Sequence, residues 1–552
     1  TQANDLQGPG LPLTLFFNPL NKNDSGYGRG WNLQLSQYDI DSKIVTVHSG
    51  ESFAVTGPVD GQVGLGMSEK KIDSFHFEEL GADTFRLVHR SGLVEILERQ
   101  PGSTLAMPTK VYSEKGHGIT LAYTVVNRAP RLTSIRDQSR EIFSITREGF
   151  RVPERPEVKE IIRLVLNPGA SGSSRVEYQL EVDHNLLVTS VRLPTANAVK
   201  DVKYGKHGKR AMYGLNAEEK AYPYWRLHYT EIDGYYCIDK VRTPLGAYET
   251  VSYSAPGKGH DIPRSLETLP RVLKHVIDPR SGQPKTEVNY DYRLSNDASS
   301  SIGYVAGNNF LGAGLDLEHE DTRLDYLYRY PGDYLYGSIE TRVSGMITRT
   351  VERRFNRFHL LVLERTQQVQ PEDGRTVTYT HDTTTTYKIS NGHFWEQAAY
   401  CQLPLDTLDR WTKSPGNRRE QTTVKRDYYA DGNLKEQTEA TGVRTAYVWY
   451  SAAGEGDDCP KDAEGFCRHL KSTTTHPDPQ ARHGSAKALY QHHFYQQGDP
   501  LTAAGDKVRK WHRVADENLY EGTSNAGALL QTTGYQYFDV PADGKLHGRV
   551  TE

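Results

Sequence analysis

The chain has 552 residues, 66 basic and 70 acidic, for a formal net charge of −4 without a strong single-sign run. This balance excludes the electrostatic footprint of a nucleic-acid or membrane-surface protein. Exchanging the 34 Tyr of the hydrophobic set for the 49 Gly gives an apolar share of about 39 %, below the roughly 45–50 % of an average globular chain. A solid core of this size needs more apolar residues, whereas thin sheets that are wet on one or both faces need fewer.

The first residues, Thr1-Gln2-Ala3-Asn4-Asp5, have neither the basic start nor the apolar stretch of a signal peptide. The chain enters strand-like sequence almost at once, as a fragment of a longer protein would. No window approaches the ~20 apolar residues of a membrane span. Leu11, Leu13 and Leu15 alternate with Pro12, Thr14 and Phe16, which predicts a strand with Pro12 at a sheet edge. Gly26, Gly28 and Gly30 permit backbone shapes closed to other residues, and Trp31, Leu33 and Leu35 then share one face. No helix follows these glycines, so they do not form a phosphate-binding loop. Strands are predicted at 44–47, 85–88, 94–97 and 119–123, separated by Ser49-Gly50, Ser91-Gly92 and Lys115-Gly116-His117-Gly118.

From there a unit repeats. At 132–137, 188–194, 238–244 and 272–279, apolar residues three apart accompany a basic residue and then a turn. The last two continue past Gly246 and Gly282 into second runs at 251–253 and 288–292. The clearest copy is Tyr428-Tyr429-Ala430-Asp431-Gly432-Asn433-Leu434, followed by Gly442 and the run 446–450. A related copy closes the chain with Tyr535, Tyr537, Asp539 and Asp543-Gly544-Lys545-Leu546. Each unit reads as a β-hairpin: Asp, Pro and Gly supply the turn, and Tyr ends the returning strand with an apolar body and a tip expected to stay wet. Neighbouring hairpins would pair side by side into a strip. The expected class is therefore all-β, a strip of antiparallel hairpins with a few short helices and long loops.

One short helix is predicted around Ala486-Lys487-Ala488-Leu489-Tyr490-Gln491, within 476–495. Residues 451–471 and 294–333 read as long loops or insertions. The four cysteines do not make a disulfide framework. Cys237 and Cys401 sit singly in strand-like runs. Cys459 and Cys467 flank a polar loop and read as two free thiols, with a disulfide in an oxidising compartment as the alternative. The chain divides into a strand-rich start (1–110), a hairpin body (111–450), an insertion or loop with the possible helix (451–495) and further hairpins (496–552).

Gly26-Tyr27-Gly28-Arg29-Gly30-Trp31-Asn32-Leu33 resembles the start of RHS/YD-repeat proteins, and Tyr429 through Gly442 resembles the tyrosine-aspartate repeat itself. The stretch from Arg349-Thr350-Val351 to His359-Leu360-Leu361 is similar to a segment of Pseudomonas-type RHS proteins often labelled sugar-binding. The resemblance implies a spiralling strip wound into a hollow cocoon, of which this chain is part or all. It implies a C-terminal toxin as cargo, further shell as partner, and delivery through type VI secretion machinery with an adaptor chaperone, or within a Tc toxin. Synthesis in the bacterial cytoplasm followed by secretion goes with it. A carbohydrate-binding or adhesive surface protein is the alternative, teneurins carrying a related shell for adhesion. In the family a plug segment with an Asp-Pro-rich self-cleavage motif follows the repeats. Here Asp278-Pro279 and Asp478-Pro479 lack that context and read as turns.

Three clusters bear on chemistry. His476, His483, His492 and His493 have no carboxylate at metal-site spacing and read as surface histidines. Asp316, Glu318, His319, Glu320, Asp321 and Asp325 lack the pattern of a calcium loop and read as a solvated loop. Tyr222, Tyr224 and Trp225 suit a sugar platform, but no carboxylate pair can be assigned and cross-strand packing is the better reading. No Gly-x-Ser-x-Gly elbow is present. No catalytic, metal or cofactor-binding residue is assigned, and any activity is expected in a downstream domain.

Overall fold

The computed structural model describes residues 8–11, 13–61, 63–137, 140–149, 157–171, 174–194, 224–263, 268–280, 282–292, 309–312, 315, 325–416, 418–480, 486–539 and 547–551. Among them, 31 antiparallel strands join in one sheet and two small hairpins stand apart. From Gly118–Val126 to Ala528–Gly534 each strand of the sheet pairs with the next one along the chain. Near the start the strip forks. The strand Leu105–Tyr112 pairs along one edge with Val94–Arg99, and its other edge is shared by Gln37–Asp39 and Gly118–Val126. No registered pair joins Ala528–Gly534 to the first strands, so the strip stays open.

The tyrosine repeat has a specific structural meaning. Tyr253 ends the strand Tyr248–Tyr253 opposite Val272, where the following strand carries one extra residue, Leu273. Its hydroxyl reaches the preceding strand, Tyr235–Arg242, and donates to the Ile238 carbonyl at 2.7 Å. Ile238 itself lies opposite Tyr229, again beside an extra residue, Asp239. The same arrangement runs through the second half of the chain. Tyr387 faces Pro404, and Tyr428 donates to the Pro404 carbonyl at 2.9 Å. Tyr428 faces Leu434, whose carbonyl accepts from Trp449 Nε1 at 2.8 Å. Trp449 faces Leu470, whose carbonyl accepts from Tyr495 at 3.1 Å, and Tyr495 faces Val514, which accepts from Tyr537 at 2.8 Å. Tyr253, Tyr387, Tyr428, Trp449 and Tyr495 thus each cover a β-bulge and tie their strand to the one before. Bulges add local twist, and the repeated device winds the strip.

The tyrosine tips are therefore not wet, as the sequence suggested. Their hydroxyls are sequestered against backbone, and burial pushes that of Tyr495 up to about 12. The Asp-Gly turns behave as expected. In 429–433 the Tyr429 amide donates to Asn433 O, Gly432 takes φ 87°, and Asp431 Oδ1 accepts from the Asn433 amide at 2.9 Å. Asp278 and Asp478 likewise cap Arg280 and Gln480 in turns. At the start, Asp24 Oδ1 holds the amides of Gly26 and Gly28, and a Cβ on Gly28 would strike Val188.

Some expectations fail. The strand predicted from Leu11 is confined to Leu15–Phe17. No helix forms at Ala486–Gln491: Leu489–Gly498 is a strand paired over its whole length with Trp511–Glu521. The helix propensity of that alanine-rich stretch yields to backbone groups that find partners on two neighbouring strands. Turns of 3-10 helix form at Leu327–Arg329, Phe394–Glu396 and Thr502–Lys507.

Packing is uneven along the strip. The first 190 residues hold two dense apolar clusters, one around Val111, Ile135, Ile162 and Val188, the other around Val45, Phe77 and Leu87. The long strands of the middle have no such core. In Arg375–Tyr387 Val377 is the single buried residue, and Leu361–Glu372 and Pro404–Ser414 are half-buried or exposed throughout. Cross-strand pairs such as Arg365–Asp382 and Arg353–Glu364 hold these strands, with Trp411 stacked on His381 at 4.8 Å. Both faces are partly wet.

Replacing Tyr253 by Phe is expected to cost about 1 kcal/mol, one net hydrogen bond. The same change at Tyr535, whose hydroxyl meets Glu517 at the surface, should stay within about 0.5 kcal/mol. Urea unfolding of the two variants reads the difference, and equal losses would contradict the role given to the bulge-covering tyrosines.

Candidate functional site

The later hairpins return to the first ones, and loops from both meet along a seam. Its centre is Arg86, in the strand Thr84–His89, 2 % exposed and facing out of the sheet toward residues more than 370 positions later. Arg86 Nε donates to the Lys507 carbonyl at 2.8 Å, Nη1 to Glu78 at 3.1 Å, and Nη2 to Glu464. Arg509 reaches the same two carboxylates, Glu464 at 2.9 Å and Glu78 at 3.4 Å. Two cations and two anions thus neutralise one another with Arg86 and Glu464 out of water.

Around this network the seam is continuous. Phe466 stacks flat on His76 with centroids 4.0 Å apart, and joins Val88, Val94, Ile96, Tyr112, Ala504 and Val508 in one apolar cluster. Arg90 Nη2 donates to Cys467 O at 2.6 Å and also meets Asn433 of the Tyr-Asp-Gly turn. Farther along, Lys71 Nζ donates to the carbonyls of Trp395 and Gln397, and Lys115 Nζ to Gly548 O. A cleft of about 590 Å³ opens between the two sides, lined by Arg90, Glu114, Asn433, Trp449, Arg468 and His512.

The loop between Tyr450 and Leu470 is organised by one buried carboxylate. Asp462 Oδ1 accepts the amides of Glu464 and Phe466, and Oδ2 accepts from Arg468 Nε at 2.8 Å and lies 3.0 Å from His469 Nε2. Burial alone would raise its pKa, but His469, Arg468 and the amide donor outweigh it and hold the carboxyl well below its usual 3.8. Arg468 in turn donates to Arg90 O at 2.9 Å, so the loop fold and the seam share a residue. Cys459 and Cys467 are free thiols, as read from sequence, and burial pushes them to about 12 and 11.

The clusters singled out in the sequence are scattered. His492 and His493 are not surface residues: both are buried, His492 between the hydroxyls of Tyr490 and Tyr450 and His493 against Glu517 at 3.0 Å. Their neighbours on adjacent strands provide partners that linear spacing does not show. His483, Tyr222 and 316–321 lie outside the described residues. Asp325 caps Leu327 and pairs with His359. Tyr224 is buried beneath Arg226, whose guanidinium sits 4.8 Å from the ring centre, and Trp225 pairs across to Val191. Arg357, in the segment similar to sugar-binding RHS sequence, is spent on the carbonyls of Tyr330, Gly332 and Ser390. Arg86 and Glu464 escaped the sequence reading. The available signal was a lone charge inside the apolar run Phe85-Arg86-Leu87-Val88.

No protein-family model and no curated protein sequence matches the chain. Solved structures do. A crystal structure of TcdB2-TccC3 without its hypervariable C-terminal region is 9 % identical over 96 % of this chain and 42 % of its own, at a TM-score of 0.26. The Tc holotoxin pore of Photorhabdus luminescens is 9 % identical over 90 % of this chain and 26 % of its own, at 0.27. A second TcdB2-TccC3 crystal structure is 10 % identical over 96 % and 43 %, at 0.24. The chain spans less than half the length of these proteins. At such scores the strand pairing, not the likeness, defines the fold.

Replacing Arg86 by Met leaves Glu464 buried beside one remaining cation, and should cost about 3–5 kcal/mol in chemical unfolding. A loss under about 1 kcal/mol would show that the seam does not depend on it. Asp462 also predicts an acid limit. Its folded pKa is depressed, so its contribution is complete above pH 3.8 and disappears as pH falls below that value. Asp462→Asn should therefore be less stable than the native chain at neutral pH, and the gap should close on acidification. A gap independent of pH would contradict this.

Proposed function

We propose that this chain forms part of the wall of an RHS/YD-repeat shell that encloses a toxin polypeptide and protects it until delivery. The observation that carries the reading is the middle of the strip, a single layer of long strands with both faces half-buried. A free-standing sheet of this kind has no second layer to complete a core. It suits a wall with water on one side and a loosely held polypeptide on the other. The seam supports the same reading, because a strip that returns to its own beginning and locks there surrounds a space.

In this account the wall acts by sequestration and any catalysis belongs to the cargo. The partners are the cargo, the remaining shell, and a delivery apparatus of the type VI or Tc class with its adaptor. Synthesis in the producing cell and export from it follow. Among the described residues no helix is long and apolar enough to cross a membrane.

Small-angle scattering of the purified chain tests the wall. A solid 552-residue globule has a radius of gyration of about 24 Å. A shell displaces mass outward, so a clearly larger value with a hollow-particle distance distribution is expected. A value near 24 Å with a solid-sphere distribution would overturn the reading.

A further inference from the structure

Two clusters bring three metal-binding side chains within 4.8 Å of one another: Asp462, His469 and His512, and His48, His89 and Glu95. The first is spent. Both Asp462 oxygens are filled, and the Arg468 cation occupies the position a metal would need.

The second differs in each respect. Glu95, in the strand Val94–Arg99, is a carboxylate at 0 % exposure. Its Oε1 accepts from Ser36 Oγ at 2.7 Å and meets His89 Nε2 at 2.7 Å. Its Oε2 is buried with no hydrogen-bond partner. His48, in the turn after Ile44–Thr46, points Nδ1 toward the same carboxylate at 3.5 Å, and that nitrogen too is buried without a hydrogen bond. The two imidazoles cross edge to face with centroids 4.6 Å apart. Burying a carboxylate with one oxygen unsatisfied is costly, and a fold does not normally leave such an atom so.

We infer that His48, His89 and Glu95 form a binding site for a divalent transition metal of the Zn²⁺ class. Two imidazoles and one carboxylate are the donor set such ions take, with a fourth position open to water. Bonds of about 2.0–2.1 Å in a tetrahedral site put ligand atoms roughly 3.3 Å apart. His48 Nδ1 already stands at 3.5 Å from Glu95, and His89 Nε2 needs to back off by about 0.6 Å from its direct hydrogen bond. The ion enters from the His48 side, where the side chain is 27 % exposed against 11 % for His89. Ser36 Oγ donates to the same Oε1 and also receives the His48 amide at 2.9 Å, orienting two ligands at once. The metal would staple the turn at 47–50 to the strands Thr84–His89 and Val94–Arg99, close to the Arg86 seam. The inference does not depend on what the wall encloses.

The test is to strip the purified full chain with a chelator, dialyse it, and titrate it with Zn²⁺ alone by calorimetry. Co²⁺ serves as the spectroscopic probe. One Zn²⁺ per chain, a tetrahedral Co²⁺ spectrum that Zn²⁺ abolishes, and a raised melting temperature are expected. His48→Gln should weaken binding by more than about 100-fold, whereas His512→Gln, in the other cluster, should bind as the native chain does. Absence of stoichiometric uptake, uptake that persists in His48→Gln, or uptake lost in His512→Gln would each overturn the site. On the native chain, without any substitution, Zn²⁺ should also shield His48 from a histidine-modifying reagent. Unchanged modification of His48 at saturating Zn²⁺ would equally overturn it.

Discussion

The structure depends on one recurring contact, an aromatic side chain that lies opposite a bulge and donates to a main-chain carbonyl of the preceding strand. A long two-sided strip has few ways to fix its register, because neither face is buried enough to punish a slip. A tyrosine whose hydroxyl must find one carbonyl, and whose ring must sit where the next strand has an extra residue, supplies that fix locally. Tyr387, Tyr428, Trp449 and Tyr495 do this in succession, and from Tyr428 onward each uses the carbonyl opposite its predecessor. The device therefore sets register and twist together, and accounts for a chain rich in tyrosine yet poor in aliphatic residues.

A strip held this way is locally strong but has free ends. The seam answers that weakness with apolar packing around Phe466 and buried charge around Arg86 and Glu464. Buried ion pairs add little net stability over apolar packing, but they tolerate no substitute geometry. The fully buried Arg86 meets Glu78 within its own hairpin, but its Nε and Nη2 find partners only when the Lys507 carbonyl and Glu464 arrive in place. That fixes which part of the later strip meets the start, and it makes the irregular loop between Tyr450 and Leu470 structural.

Much of the architecture was legible in the sequence, because hairpin strips are specified by local signals. The alternation at 94–97 and 119–123, the Asp-Gly turn at 431–432 and the aspartate-proline turns all appear where expected. What failed was non-local. The alanine-rich 486–491 looks helical alone and becomes a strand because Trp511–Glu521 lies beside it. His492 and His493 look exposed alone and are buried by Tyr450 and Glu517. The seam was invisible for the same reason, its two sides being several hundred residues apart. A charge set among apolar residues, as at Arg86 and Glu95, was the one local signal of the seam and of the His48–His89 cluster, and it does not by itself name a partner.

The central claim is that one layer of sheet encloses a space. Electron cryomicroscopy of the purified particle tests this most directly. The account predicts a density one sheet thick through the strands between residues 335 and 449, with an interior that contains no second layer. A second sheet packed roughly 10 Å beneath those strands, with interleaved apolar side chains, would contradict it.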